Sequence, residues 1–241
     1  MKRALVRWWM VVCSVMITLY YCLLALIAAF RSGTQRPRVD RYLRAWAKRL
    51  LAVIKLDYRV YNPHQVKFEP GKKYIVMCNH SSLYDIPLST VAIDGSMRMV
   101  AKKELCYIPL FGYALKKSEF IFIDRKRPQQ AEKALQFAAT KMQEGIMIWL
   151  APEGTRSATG QLLPFKKGGF RLALQTGATI IPLGIRGVRN IIAHKTFQIN
   201  RHQRAQVHIG KPIDVTRYRL SQRRQLMTDV AVAIKEAAGL P

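Results

Sequence analysis

The sequence predicts an α/β fold: a mostly parallel central sheet flanked by helices, preceded by an N-terminal membrane helix and an amphipathic helix. Three observations predict it. Past Asn62, short apolar runs alternate with helical stretches, the pattern of a sheet covered by helices. One of those stretches opens on Pro128 and closes on Gly145, a proline start and glycine stop with a physical basis. Residues 8–30 run without a charge, long enough to cross a hydrocarbon core of roughly 30 Å. The expected division is a helical anchoring region over 1–57 and one α/β domain over 58–241. A chain of 241 residues, half of them apolar, has material for one well-cored domain and an appendage.

The apolar N-terminal segment is read as a membrane segment. A cleaved signal peptide competes, favoured by Lys2 and Arg3, but the stretch is long for that role and no small-x-small cleavage site follows. Arg31, Arg36, Arg38, Arg41, Arg44, Lys48 and Arg49 outnumber Lys2, Arg3 and Arg7. If the segment spans, this excess puts the main domain in the cytosol, at the cytoplasmic or inner membrane; a segment lying within one leaflet fits as well. Over 38–56, Tyr42, Leu43, Trp46, Leu50, Val53, Ile54 and Leu56 interleave with basic residues at helical spacing. The expectation is a helix at the membrane surface, the alternative one that packs its apolar face on the core.

The predicted strands are 74–78, 97–101, 120–123, 146–150, 179–185 and 205–209. The 128–145 helix carries Ala131, Ala134, Leu135, Ala138 and Met142, and a last helix over about 221–238 packs outside. The net charge of +26 attracts phosphate-rich partners, nucleic acid or anionic membrane. The apolar N-terminal segment decides for the membrane. Cys13, Cys22, Cys78 and Cys106 have no paired spacing, so neither a disulfide framework nor a zinc site is indicated.

Asn79, His80, Ser81, Ser82, Leu83, Tyr84 and Asp85 follow a buried-type strand, and ligands of open α/β sheets bind at such carboxyl ends. On a straight helix His80 and Asp85 would point about 140° apart, so they meet only across a turn, which the two serines favour. Meeting, they form a general base, the carboxylate fixing one imidazole nitrogen and leaving the other to accept a proton. Otherwise Asp85 caps the following helix and His80 is a loop residue. Pro152, Glu153, Gly154, Thr155, Arg156 and Ser157 follow another apolar strand and read as an anion cradle. The alternative is a surface turn with a Glu153–Arg156 ion pair. A second cationic cluster, Phe165 to Phe170 with Lys166 and Lys167, and strand ends bearing Arg125, Lys102 and Lys103 point to one anionic ligand if they share an edge.

These residues together resemble the glycerolipid acyltransferases, and most closely the bacterial 1-acyl-sn-glycerol-3-phosphate acyltransferases, over roughly 46–210. The family's Asn-His, four residues, Asp signature appears at 79–85. Its Pro-Glu-Gly-Thr-Arg-Ser block appears whole at 152–157, and Ala101 to Leu105 is similar to its Ala-Lys-Lys-Glu-Leu segment. Two positions depart from the pattern: Glu119 stands where the family commonly has glycine, bearing on acceptor binding, and Ala151 replaces an aromatic residue.

The resemblance implies transfer of a fatty acyl group from acyl-CoA or acyl-carrier protein to the sn-2 hydroxyl of lysophosphatidic acid at an anionic membrane, with no cofactor, metal or nucleic acid. His80 and Asp85 are the catalytic pair in that reading. Arg125, Arg156 and Lys103 hold the phosphate, Glu153 arranges Arg156 or touches the acceptor, and Asn79, Gly154, Thr155 and Lys166 complete the substrate surface. Another lysolipid acceptor and a nonenzymatic basic lipid-binding protein are the alternatives. A serine hydrolase lacks its nucleophile elbow. A metal hydrolase lacks ligand spacing among His64, His194, His202 and His208.

Overall fold

The computed structural model describes residues 2–32, 36–192 and 198–241; His194 lies outside the described residues. Two helices, α1 (Lys2–Ser32) and α2 (Arg36–Val53), precede strands β1 (Asp57–Tyr61) and β2 (Tyr74–Cys78). Then come α3 (Asp85–Ala92), β3 (Met97–Lys102), a 3-10 turn (Lys103–Tyr107), α4 (Phe111–Lys117), β4 (Ile121–Ile123), α5 (Pro128–Gln143) and β5 (Met147–Leu150). The chain continues through α6 (Gly168–Thr176), β6 (Thr179–Arg186), β7 (Arg204–Ile209), β8 (Ile213–Asp214) and α7 (Arg223–Ala238). Among the described residues the strands form one sheet in the order β1-β7-β6-β2-β5-β3-β4, with β8 beside β6.

All the strands from β6 through β4 along that order are mutually parallel, whereas β7 and β8 run antiparallel to β6. Helices cover both faces, which is why β2 reads as an unbroken apolar run with every residue buried. Val76, Met99, Trp149 and Leu183 face one core with Leu51 of α2 and Leu88 of α3. Ile75, Ile148 and Ile180 face the other, with Ala138 of α5, Phe170 of α6 and Val230 of α7. Burying a side chain such as Phe170, fully enclosed here, contributes about 1.5–3 kcal/mol.

The six predicted strands are found, with ends shifted by a residue at most. β1 was missed because four of its five residues are exposed. It joins the sheet as an edge through its backbone, parallel to β7, and so shows no apolar alternation.

α2 follows the alternative reading. Val39, Ala47, Leu50 and Leu51 are buried because α1 and α3 lie against it, while Arg41, Lys48 and Arg49 remain outward. α1 is held along much of its length: Trp46 Nε1 donates to Thr18 Oγ1 (3.1 Å), and Cys22 and Leu26 pack on Phe111 and Ala114. Near its start Arg7 donates to Gln198 Oε1 (3.2 Å) and Asn200 Oδ1 (3.3 Å).

Because β2 to β5 are parallel, their amino ends share an edge, and that edge is rich in paired charge. Glu119, just ahead of β4, has φ +65°, a conformation glycine adopts without steric penalty. Its carboxylate binds Arg36 (2.8 Å) and Lys141 (2.9 Å), and Glu144 joins both cations. Glu119 therefore ties the start of α2 to the end of α5. Its expected bearing on acceptor binding is corrected, since it stands at the edge opposite Arg125. Fully buried Arg98 pairs there with Asp40 (2.6 Å) and donates to the Ser118 carbonyl.

Candidate active site

The opposite edge, where β2 to β5 end, gathers the residues singled out in the sequence. Immediately after β2, Asn79 is buried and closes a two-way bond with Ile185 of β6: Nδ2 donates to its carbonyl (2.9 Å) and its amide donates to Oδ1 (2.8 Å). Asn79, expected on the substrate surface, thus clamps the end of β2 to its neighbour. The next peptide is held from the other side. The His80 amide donates to Glu153 Oε1 (2.7 Å), and the Ser157 amide donates to the His80 carbonyl (2.7 Å). The segment after β5 is thereby bonded directly to the segment after β2.

The turn after His80 brings it to Asp85, as the general-base reading requires. Nδ1 lies 2.8 Å from Asp85 Oδ2, and the same oxygen accepts from the amides of Ser81 and Ser82, each at 2.8 Å. The carboxylate, wholly buried, therefore binds the turn that precedes it instead of capping α3. With Nδ1–H donating to Asp85, Nε2 carries the lone pair available for a proton. The imidazole remains 15% exposed, open to a substrate. Buried Trp149 bounds it edge-on, with ring centroids 6.0 Å apart and planes at 88°.

Glu153 is 1% exposed, and its second oxygen accepts from the Leu163 amide (2.8 Å). It forms no ion pair with Arg156 among the described residues, so the expected Glu153–Arg156 arrangement gives way to a backbone brace. Burial pushes its carboxyl above the usual range, and the two amide bonds pull partly back.

Gly154 has φ +75°, and a Cβ there would lie 3.3 Å from Arg125 Nη1 and 3.3 Å from Lys166 Cγ. Arg125 and Lys166, distant in sequence, therefore converge over this one backbone. The Lys166 amide, donating to the Pro152 carbonyl (2.8 Å), fixes the approach. Thr155 is exposed and Arg156 partly so. Among the described residues no carboxylate lies within ion-pair distance of Arg125, Arg156 or Lys166, leaving their charge available to an anion. Lys103 differs: it bonds Gln130 (2.7 Å) and lies 3.5 Å from Asp124.

Sequence reasoning missed Trp149, which reads only as one more apolar strand residue. It also missed Ile185 and Leu163, whose contributions come from backbone atoms and carry no side-chain signal.

Residues 57–186 match the acyltransferase family model. An uncharacterised acyltransferase of Schizosaccharomyces pombe is 31% identical over 83% of this chain and 73% of its own length. The 1-acyl-sn-glycerol-3-phosphate acyltransferase of Haemophilus influenzae is 30% identical over 89% of this chain and 86% of its own. The chain spans about half the length of the mammalian relatives it matches. The crystal structure of the 1-acyl-sn-glycerophosphate acyltransferase of Thermotoga maritima superposes with a TM-score of 0.82, covering 99% of this chain and 95% of that one at 23% identity, a shared fold.

Proposed function

This chain belongs to the acyltransferase family, and on that premise we propose that it acylates the sn-2 hydroxyl of 1-acyl-sn-glycerol 3-phosphate, giving phosphatidic acid. The observation that carries the reading is the bonding of the His80–Asp85 pair, through Glu153, to the segment over which Arg125 and Lys166 converge. A base and an anion cradle on one rigid frame suit an acceptor that bears an alcohol and a phosphate.

His80 Nε2 takes the proton of the hydroxyl as its oxygen attacks the thioester carbonyl of acyl-CoA or acyl-carrier protein. The carbon–sulfur bond then breaks, and the departing thiolate takes the proton back from the imidazolium. Asp85 holds the imidazole and stabilises its charged form. Arg125, Arg156 and Lys166 bind the phosphate, with Thr155 beside them and Lys103 at the margin. General base catalysis contributes about 10²- to 10⁴-fold and positioning the rest.

Acceptor and product both reside in lipid, which gives α1 a purpose. Its stretch Leu5–Phe30 is long and apolar enough to cross a membrane. Yet Arg7 bonds to the domain near one end and Phe30 meets Tyr113 at 6.2 Å near the other. A helix held to the domain at both ends favours lying within one leaflet, and the polar head of the donor, met in the cytosol, favours the cytosolic side for the domain.

The test pairs acyl-CoA and acyl-carrier protein with lysophosphatidic acid and other lysolipids, in the purified protein and in His80→Ala. Formation of phosphatidic acid that requires His80 is the expected result. Undiminished transfer by the variant would remove His80 from the mechanism, and preference for a lysolipid without a phosphomonoester would replace the acceptor.

A further inference from the structure

Between β3 and α4 the domain presents apolar side chains outward in a way its own core does not explain. Tyr107 is 69% exposed, and Ile108, Leu110 and Tyr113 are exposed as well. Leu110 has φ 61° and ψ −56°, and the Phe111 amide donates back to the Pro109 carbonyl at 2.6 Å. That is a γ-turn with positive φ, rare and strained for a branched residue. In water such a turn loses twice, through its backbone and through the apolar surface it exposes. A different solvent removes the second loss.

That solvent is identified by what lies beside the turn. On α1 the residues Tyr20, Leu23, Ile27 and Phe30 are exposed at three- and four-residue spacing, forming one outward stripe. The adjoining side of the same helical segment is packed, Cys22 and Leu26 resting on Phe111 and Ala114. Phe30 meets Tyr113 at 6.2 Å, so the stripe continues onto α4. Lys116 and Lys117 close α4, with the Lys117 ammonium 5.6 Å from the Tyr113 ring centre. Apolar and aromatic groups bordered by cations match the boundary between acyl chains and anionic headgroups.

We propose that the 107–110 turn and the exposed side of α4 enter an anionic lipid bilayer beside α1, as a second insertion point contributed by the catalytic domain itself. The turn follows Lys103 directly, at the edge where β2 to β5 end, so its insertion sets the depth and tilt of the candidate site. An insertion point flanking the helix fixes an orientation that the helix by itself leaves free to roll. This inference rests on the acyltransferase reading for its purpose, though not for its physical test.

In the full chain, Tyr107→Trp adds a reporter at an exposed position. On vesicles of phosphatidylglycerol and phosphatidylcholine with brominated acyl chains, the emission it adds over the parent should be quenched by about half or more if the turn reaches the chains. In parallel, Tyr107→Ser combined with Ile108→Ser should slow transfer to vesicle-borne lysophosphatidic acid by about tenfold, while transfer to a short-chain acceptor dissolved as monomer changes less than about twofold. An unquenched reporter overturns the insertion, and so does an equal loss on both acceptors. Quenching in a protein with no transfer activity would uphold the insertion and overturn the acceptor reading instead.

Discussion

The two edges of the sheet carry the same kinds of charged side chain and use them in opposite ways. At the amino edge cations and carboxylates neutralise one another: Arg36 and Lys141 with Glu119 and Glu144, Arg98 with Asp40, Arg44 with Asp94. At the carboxyl edge both oxygens of Glu153 and one oxygen of Asp85, which also holds His80, accept from backbone amides. That leaves Arg125, Arg156 and Lys166 with no carboxylate at ion-pair distance among the described residues, Glu104 acting on Arg125 only from further off. A buried carboxylate braced by amides needs no cation nearby. Apart from Lys103 and Arg127, which share Asp124, charge balance is thus completed at one edge and withheld at the other, where a ligand's phosphate would complete it.

If the division is real, substitutions at the two edges must fail differently. The largest effect belongs to His80→Ala, which should lower turnover by about 10²- to 10⁴-fold, the share of a general base; circular dichroism should find the fold unchanged. Arg156→Ala should raise KM for a phosphate-bearing acceptor by about 10- to 100-fold, from the roughly 1.5–3 kcal/mol of a charge-assisted hydrogen bond. Its kcat should change little, a split that steady-state kinetics reads directly.

Glu153→Gln sharpens the comparison, because an amide must present a donor to one of the two backbone amides the carboxylate now accepts. A loss of about 1–3 kcal/mol in denaturant unfolding follows from one unsatisfied buried group, together with reduced turnover as the His80 peptide shifts. The same substitution at Glu119 should leave kinetics alone and cost about 1–2 kcal/mol of stability, between the figures for exposed and buried ion pairs.

Glu119 also gives the amino edge a pH signature. Its bond to Arg36, above all, holds its carboxyl down from 4.5 to about 2. A depressed folded-state value stabilises the fold above the unfolded value, and that contribution disappears as pH falls through the folded one. The stability difference between wild type and Glu119→Gln should therefore be constant above pH 4.5 and shrink as pH falls toward 2. Calorimetry across that window would detect a difference that persisted in acid, which would mean the ion pairs are not its source.

The sequence made legible whatever depends on side-chain pattern. Apolar runs fixed the strands from β2 to β7, and the Pro128 and Gly145 bounds fixed α5. His80, Asp85, Arg125 and Lys166 could be picked out by residue type and by their place after strands. What stayed hidden depends on backbone or on tertiary partners. β1 is held by main-chain pairing at an edge and has little apolar surface to announce it. Asn79 and Glu153 looked like substrate-facing groups, since nothing in their residue type reveals that their polar atoms are taken by Ile185, His80 and Leu163. Glu119 looked like a change in the binding surface because only strand direction places it at the other edge. The basic stripe of α2 suggested a membrane surface, and its apolar side proved to be packed on neighbouring helices.

Arg125, Arg156 and Lys166 have no carboxylate at ion-pair distance among the described residues, and in the proposed reaction they hold the phosphate of an acceptor delivered to His80. The most direct measurement of that role is the ratio of kcat/KM for lysophosphatidic acid to that for the matching monoacylglycerol, in wild type and in Arg125→Ala combined with Arg156→Ala. A strong phosphate preference in wild type is expected to fall by about 100-fold or more in the variant, as two charge-assisted bonds require. A ratio that does not move would contradict that role.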